Sequence, residues 1–141
     1  MAIDGSNLAD KSLDFAFDLA KKYSAEVMIL TVVDLPSNSF WAQGTTFAPI
    51  SSQKYLEKVE NFHKKILTEA LKKAKATAKI SVTKRLLTGR PAEKIIEVAK
   101  EGSFDLIVMG SRGLGGIKEF FLGSVSDRVA DEAPCPVLII K

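Results

Sequence analysis

The chain has 141 residues, 46% of them hydrophobic, which suits one domain with a sizeable core. Lys and Arg number 20 against 17 Asp and Glu, and the charges are interspersed, without the basic runs, aromatic platforms or zinc-finger spacing of nucleic-acid-binding proteins. The single cysteine, Cys135, excludes an internal disulfide, and no apolar run approaches the roughly 20 residues of a membrane span. We therefore expect one cytoplasmic domain over residues 1–141 that binds neither nucleic acid nor membrane.

Apolar residues recur with alternating helical and strand periods along the chain. We expect helices over 8–23, 54–77, 91–100 and 124–132, and strands over 26–33, 80–87, 106–109 and 137–140, with 1–4 as what remains of a first strand. Strands separated by helices imply right-handed crossovers and a parallel sheet with helices on both faces. The predicted fold is an α/β single domain, a three-layer α/β/α sandwich with a five-stranded parallel sheet.

The first strand, Met1–Asp4, is shorter than a central strand usually is. A central strand this short would leave ladder partners on both of its neighbours unmatched. We therefore expect that the native strand begins upstream of Met1 and is truncated here.

Residues 34–53 show neither a helical nor a strand period. A connection this long is usually functional or disordered, and Phe40, Trp41 and Phe47 argue against pure disorder. The segment fits a lid over a ligand or a docking surface for a partner, and the sequence does not choose between them.

A glycine-rich loop lies between the strand 106–109 and the helix at 124, with glycines at 110, 113, 115, 116 and 123. Glycine permits φ > 0 and lets the backbone come close to a ligand. Ser124 followed by Asp127 is typical of a capping box, which would make Ser124 the N-cap of the helix. Free N–H groups and the positive end of the helix dipole would then face the loop, an arrangement that suits a phosphate.

Two better-known phosphate loops do not fit this segment. A Walker A loop requires a Gly-Lys pair, and the chain has none. The dinucleotide fingerprint G-x-G-x-x-G fails because Lys118 occupies the third glycine position after Gly113 and Gly115, and because this loop follows the fourth strand rather than the first. The spacing that remains is Gly110-x2-Gly113-x9-Gly123-Ser124.

With this spacing the chain resembles the universal stress protein family, in its nucleotide-binding branch. The resemblance extends over nearly the whole length, through residues 2–6, Gly89-x-Pro91 and 133–137 as well as the loop. It implies a Rossmann-like sheet of strand order 3-2-1-4-5, similar to that of the adenine nucleotide alpha hydrolases. It also implies ATP or AMP as the ligand, with or without Mg, and a regulatory role in the stress response through a protein partner that the sequence does not identify.

A homodimer through residues 136–141 follows from the residues and from the resemblance alike. The last strand, Val137–Ile140, is short and apolar, and in the implied strand order it lies at a sheet edge. An exposed apolar edge invites pairing with another chain, and a two-fold partner would cover both edges.

Ligands of open α/β sheets bind beyond the carboxyl ends of the strands, where Asp4, residues 32–34 and Gly110 are expected to converge. The resemblance makes Asp4 an acceptor for adenine or ribose donors, while a turn or N-cap role also fits a carboxylate before Gly5 and Ser6.

The resemblance divides the other site residues between the base, the ribose and the phosphates. They are Ile3, Val32 and Met109 around the base, Gly110 against the ribose, and Gly113, Gly123, Ser124 and Val125 at the phosphates. Core packing is the alternative role of the apolar three, and N-capping that of Ser124. Arg112 is either a clamp for a terminal phosphate or a solvated loop residue.

The sequence contains no evident catalytic set. His63, the one histidine, is expected on the flank of the helix 54–77, remote from the loop. Asp4 is a candidate to hold Mg through water on a bound nucleotide, but one carboxylate makes a poor Mg²⁺ cage. We expect a binding protein with at most slow ATP hydrolysis. The alternative is a slow ATPase or an adenylyl-transfer enzyme of a related α/β fold, whose Ser-Gly-Gly-x-Asp-Ser loop is absent.

Overall fold

The computed structural model describes residues 1–34, 53–77, 80–115 and 122–141, apart from the side chain of residue 77. Helices and strands alternate along these ranges, each within two residues of an element predicted from the sequence. The helices are α1 Asn7–Tyr23, α2 Gln53–Thr77, α3 Pro91–Glu101 and α4 Ser124–Glu132, and the strands are β1 Val27–Val33, β2 Val82–Thr88, β3 Ile107–Gly110 and β4 Val137–Ile140. The predicted alternation is confirmed. The connection predicted over 34–53 lies outside the described residues except at its two ends.

The strands pair in parallel as two couples, β1 with β2 and β3 with β4. Between the couples, Ala2 forms single parallel bridges to Leu30 of β1 and to Met109 of β3. The Ala2 N–H donates to the Val108 carbonyl at 3.0 Å, and the Ile3 N–H donates to the Leu30 carbonyl at 2.9 Å. The segment before α1 therefore joins β1 to β3.

The predicted five-stranded sheet is not formed as such among the described residues. The first segment makes one bridge on each side instead of a ladder. It leaves the extended conformation at Gly5, whose φ of 88° is one that glycine adopts without strain. The α/β class with parallel strands is confirmed, while the five-strand order 3-2-1-4-5 stays a prediction.

Helices cover both faces of β1. Ile29 belongs to a cluster of buried apolar side chains with Phe17 of α1 and Leu67 of α2. The next residue, Leu30, belongs to a second cluster with Ile95 of α3 and with residues of α4. Successive side chains of a strand point to opposite faces, so these two clusters of the core are both built on this one strand, as its continuous apolar run predicts.

The long helix α2 is amphipathic. Leu67, Ala70 and Ala74 are buried, whereas every lysine of the helix except Lys73 is exposed, as the sequence predicts for a solvated outer face. Lys73 lies 2.9 Å from a carboxylate oxygen of Asp10 and of Asp14, which ties α2 to α1. None of the described helices is both long enough and apolar enough to cross a lipid bilayer.

Phe15 and Phe17 form a matched pair for testing the packing of α1. The side chain of Phe17 is 0% exposed and that of Phe15 is 54% exposed. We expect Phe17→Ala to lower the free energy of unfolding by about 3–5 kcal/mol, because it leaves a cavity between α1 and β1. Phe15→Ala should change it by less than about 0.5 kcal/mol. Urea unfolding followed by circular dichroism measures both values, and equal losses would contradict this packing.

Candidate functional site

A cavity of about 1000 Å³ opens at the carboxyl ends of β1 and β3. Its wall includes every residue that the sequence analysis placed at the site, namely Ile3, Asp4, Val32, Met109, Gly110, Arg112, Gly113, Gly123, Ser124 and Val125. Segments far apart in the sequence thus meet in one crevice, as expected for strand ends in a parallel arrangement. His63 of α2 and Pro91 and Ile95 of α3 also line the cavity, and the sequence analysis did not place them there.

The Asp4 carboxylate spans the crevice. Its Oδ1 accepts a hydrogen bond from the Ser6 N–H at 3.0 Å. This bond gives Asp4 the turn role that the sequence also allows. Its Oδ2 accepts a hydrogen bond from the Leu114 N–H at 2.8 Å. One side chain therefore fixes the turn before α1 and also holds the loop after β3. A carboxylate has about four lone-pair sites, so both oxygens keep the capacity to accept a further bond.

The loop glycines do not adopt the backbone conformation that the sequence analysis expected of them. Among the described residues, the glycines with φ > 0 are Gly5 and Gly89, at the turns before α1 and α3. The expectation of φ > 0 is therefore wrong for the described glycines of the loop, 110, 113, 115 and 123. At Gly110 and Gly113, however, there is no room for a side chain.

Gly113 is required because the Asp4 carboxylate occupies the place of its side chain. A Cβ built on Gly113 would collide with Asp4 Oδ2. A Cβ on Gly110 would lie 2.9 Å from the Leu8 Cβ, which is closer than real Cβ atoms approach. The contact of Asp4 with the loop, and the passage of β3 over the start of α1, therefore both depend on glycine.

The start of α4 is anchored to the end of β3. The Gly123 N–H donates to the Ser111 carbonyl at 2.7 Å. The Ser126 hydroxyl, which is buried, donates to the Ser111 carbonyl at 2.7 Å and lies 2.9 Å from the Gly123 carbonyl. The N–H groups of Ser124 and Val125 belong to the first helical turn and have no acceptor within the helix. Both residues line the cavity, so the positive end of the helix dipole is directed at it.

The predicted capping box is wrong by one residue. Gly123, not Ser124, is the N-cap of α4, and it has no side chain with which to cap. The Ser126 hydroxyl takes the anchoring role instead. Ser124 is the first helical residue and is exposed, so its hydroxyl stays available at the cavity wall.

The side chains of the apolar wall belong to the core as well as to the cavity. Ile3, Val32 and Met109 are all buried and lie in the two core clusters. Core packing and cavity lining, which the sequence left as alternatives, are thus both true of these residues. Arg112 is half-buried at the wall, which excludes a fully solvated side chain.

The charged groups of the wall are mainly acidic. Among the described residues, the lining carboxylates are those of Asp4, Asp34 and Asp127, and the lining guanidinium is that of Arg112. No group of three or more His, Cys, Asp or Glu side chains in the described ranges is arranged to hold a metal ion by itself.

His63 lies at the cavity, so the prediction that it is remote from the site is wrong. Its Nδ1 is 2.8 Å from the hydroxyl oxygen of Thr31, a buried residue of β1. Burial lowers the pKa of His63 below its usual range, and the nearby Asp4 carboxylate opposes this in part. His63 adjoins the helical stripe that includes Ile66 and Leu67, which is consistent with the flank position that the sequence predicts. Periodicity carries no information on where along the sheet the helix lies, so the sequence did not show that this side chain reaches the strand ends.

Comparisons with known proteins agree with the fold. The chain matches the universal stress protein family over residues 1–141. It is 37% identical to the universal stress protein YxiE of Bacillus subtilis over 145 aligned residues, covering 100% of this chain and 96% of that protein. It is 35% identical to a universal stress protein of Methanocaldococcus jannaschii, covering 98% and 78% of the two chains.

Solved structures give the same result. Universal stress protein UspA from Lactobacillus plantarum superposes with a TM-score of 0.81 at 24% identity, covering 99% of this chain and 94% of that one. A universal stress protein crystallised in complex with cAMP superposes with a TM-score of 0.73 at 29% identity, covering 100% and 94%. The chain belongs to the universal stress protein family.

Proposed function

We propose that the chain binds an adenine nucleotide in the cavity and acts as a nucleotide-dependent regulatory module in the stress response. The observation that carries the proposal is the two-part character of this single cavity. Buried apolar side chains form one part of the wall, and a glycine loop with a helix N-terminus forms another. An adenine nucleotide has the same two parts, a flat apolar base and an anionic phosphate chain.

The base and the phosphates take different parts of the wall in this proposal. Ile3, Val32 and Met109 pack on the adenine. Gly110 lies against the ribose, where a side chain would crowd the backbone. The N–H groups of Gly113, Ser124 and Val125 hold the phosphates, the last two at the positive end of α4, and Arg112 adds a guanidinium. The N–H of Gly123, also predicted at the phosphates, is engaged with the Ser111 carbonyl, so Gly123 lies beside the phosphates without donating to them.

The structural relative that is complexed with cAMP supports the choice of adenine. Its ligand contains the same base and ribose as ATP and AMP. The acidic groups of the wall favour a nucleotide that brings Mg²⁺ with it, because the metal offsets the repulsion between carboxylates and phosphates. Asp4 would reach such an ion through a bound water rather than as one ligand of a protein cage.

A regulatory role is supported by the contact between Asp4 and Leu114. The Leu114 side chain is 63% exposed, while its N–H is held by the carboxylate at the mouth of the cavity. A nucleotide that takes up Asp4 or the loop N–H groups alters this contact, and so alters an exposed apolar residue. In this proposal a protein partner binds the surface around Leu114 and responds to its change. The proposed setting is the cytoplasm, which suits a chain with one cysteine and no internal disulfide.

We expect Gly113→Val to abolish ATP binding, which in the parent should be of micromolar affinity or tighter. A valine at 113 collides with Asp4 Oδ2 and fills the space between the loop and the strand end. Isothermal titration calorimetry with ATP measures the affinity, and circular dichroism checks that the variant is folded.

The matched control is Gly115→Val, two residues further along the same loop. No described atom lies within 4 Å of a Cβ at 115, so this variant should retain an affinity within about tenfold of the parent. A folded Gly113→Val protein that binds ATP like the parent would show that the loop is not the phosphate site.

We expect ATP turnover slower than about one per second, near the low end of enzyme rates. No group of three or more His, Cys, Asp or Glu side chains in the described ranges is arranged to hold a metal ion, and the Nδ1 of His63 is already engaged with Thr31. Release of labelled phosphate from ATP with Mg²⁺ measures the rate. Faster turnover that is lost in His63→Ala would favour the alternative, that the chain is an enzyme of a related α/β fold.

We further propose a five-stranded sheet of order 3-2-1-4-5, in which the segment 1–3 counts as strand one and lies at the centre. In the labels used here the order is β2, β1, segment 1–3, β3, β4. The two bridges of Ala2 to β1 and β3 support this order.

We also propose a homodimer formed through β4. This strand pairs with β3 on one edge, and no described strand pairs with its other edge. The Pro136 and Ile140 carbonyls accept bonds from β3, so the N–H and C=O groups of Val137 and Ile139 point outward.

We expect Val137→Pro to convert the dimer into folded monomers. Proline removes one outward N–H group and leaves the bonds to β3 in place, because those use the neighbouring residues. Light scattering coupled to size-exclusion chromatography measures the mass of the parent and of the variant. A parent that remains monomeric at high micromolar concentration would contradict the proposed dimer.

A further inference from the structure

The geometry points to His63 as the residue that reads the base: we infer that its Nε2–H donates a hydrogen bond to an acceptor nitrogen of the adenine ring. This inference rests on the proposed nucleotide site and adds a specificity-determining residue to it. Whether His63 can donate to the base is decided by which ring nitrogen carries the proton and by where that nitrogen points.

The hydroxyl of Thr31 decides the tautomer of His63. Thr31 is 1% exposed in the middle of β1, where its backbone groups belong to the strand ladder. Among the described residues, its side chain has one hydrogen-bond partner, His63 Nδ1, at 2.8 Å. If Nδ1 carried the proton, the Thr31 hydroxyl would accept the hydrogen bond, and the buried hydroxyl proton would have no acceptor among the described residues. The arrangement that leaves no buried donor unpaired has the hydroxyl donating to an unprotonated Nδ1. Nδ1 therefore accepts, and the neutral ring carries its proton on Nε2.

The protonation state agrees with this assignment. Burial lowers the pKa of His63, so that the ring is neutral near pH 7. A charged ring would carry protons on both nitrogens and would force the Thr31 hydroxyl to accept instead of donate. The nearby Asp4 carboxylate opposes this lowering of the pKa only in part.

His63 lines the cavity, and its second ring nitrogen, Nε2, is the one that is not engaged with β1. The two nitrogens of an imidazole point in widely separated directions, so the contact of Nδ1 with β1 turns Nε2 away from β1. The edge-on contact with the Phe62 ring, at 5.5 Å between centroids and 89° between planes, further restricts the orientation of the imidazole. No described residue is hydrogen bonded to Nε2.

A neutral N–H donor held between apolar walls selects for an acceptor on the ligand. Adenine carries three ring nitrogens that accept hydrogen bonds, N1, N3 and N7. Asp34 offers an acceptor for its amino group just beyond the end of β1. A donor and acceptors that face the same ligand can recognise the edge of a base, whereas apolar walls alone cannot tell one purine from another.

The first experiment reads the tautomer directly. The chain has one histidine, so protein labelled with ¹⁵N-histidine gives the signals of His63 without assignment. We expect a protonated Nε2 and an unprotonated Nδ1 in the free protein, and a shift of the Nε2–H signal when ATP is added. Thr31→Val, which replaces the hydroxyl by a methyl group of similar size, should leave both tautomers populated. A proton on Nδ1 in the free parent would overturn the inference.

The second experiment locates the acceptor with three ATP analogues in which N1, N3 or N7 is replaced by carbon. In the parent we expect one analogue to bind about tenfold more weakly than the other two, because it leaves the Nε2–H without a partner. His63→Leu should bind ATP about tenfold more weakly than the parent and should no longer discriminate against that analogue. Thermal unfolding of His63→Leu serves as the check that it is folded.

The outcomes separate this inference from the function on which it rests. If the parent binds ATP, and the parent and His63→Leu show the same preference among the analogues, the role of His63 is overturned and the nucleotide site stays intact. Failure of the parent to bind any adenine nucleotide would overturn the proposed function and the inference together.

Discussion

The architecture of the crevice depends on one carboxylate. The Asp4 carboxylate accepts hydrogen bonds from the N–H groups of Ser6 and Leu114, which are 2 and 110 positions away in the sequence. The second contact exists only because position 113 has no side chain. The carboxylate thereby joins the beginning of the chain to the loop between β3 and α4. Its position at the end of the segment that bridges β1 and β3 also makes it a part of the wall.

The rest of the molecule holds this crevice open at fixed dimensions. β1 is packed on both faces, with Ile29 toward α1 and α2 and Leu30 toward α3 and α4. A strand with core on both sides cannot shift by one residue without exchanging its faces, so the position of its carboxyl end is fixed by packing. Ser111 does the same for the loop, since its carbonyl accepts both the Gly123 N–H and the Ser126 hydroxyl. The site is thus built on rigid elements, and the Asp4–Leu114 contact is made by a single hydrogen bond.

Sequence periodicity predicted α1, α3, β1 and β3 well because each of them buries a stripe or run of apolar residues. The parallel arrangement then brought Asp4, Val32 and Gly110 to one edge without any tertiary information. What could not be predicted depends on contacts between segments. The sequence shows that Gly113 is a glycine, but not that the Asp4 carboxylate occupies the space beside it. Likewise, Ser124 followed by Asp127 fits a capping pattern, whereas the anchor is Ser126, through a carbonyl of another segment.

His63 shows the same limit at the level of a helix. The period of α2 places this residue beside the buried stripe, but the depth of the helix along the sheet is set by packing between Leu67 and Ile29, which the sequence does not encode locally. The hydrogen bond to Thr31 follows from that packing and places a neutral imidazole among the apolar walls. The proposed ligand would therefore meet two kinds of polar group. One is the His63 ring, held by a buried strand, and the other is the Asp4 carboxylate, whose existing bond to the loop has to be shared or released. The first suits selection of the base, because its Nδ1 is hydrogen bonded to a buried residue of β1. The second suits regulation, because the free energy of ligand binding is partly transferred to the loop that carries the exposed Leu114.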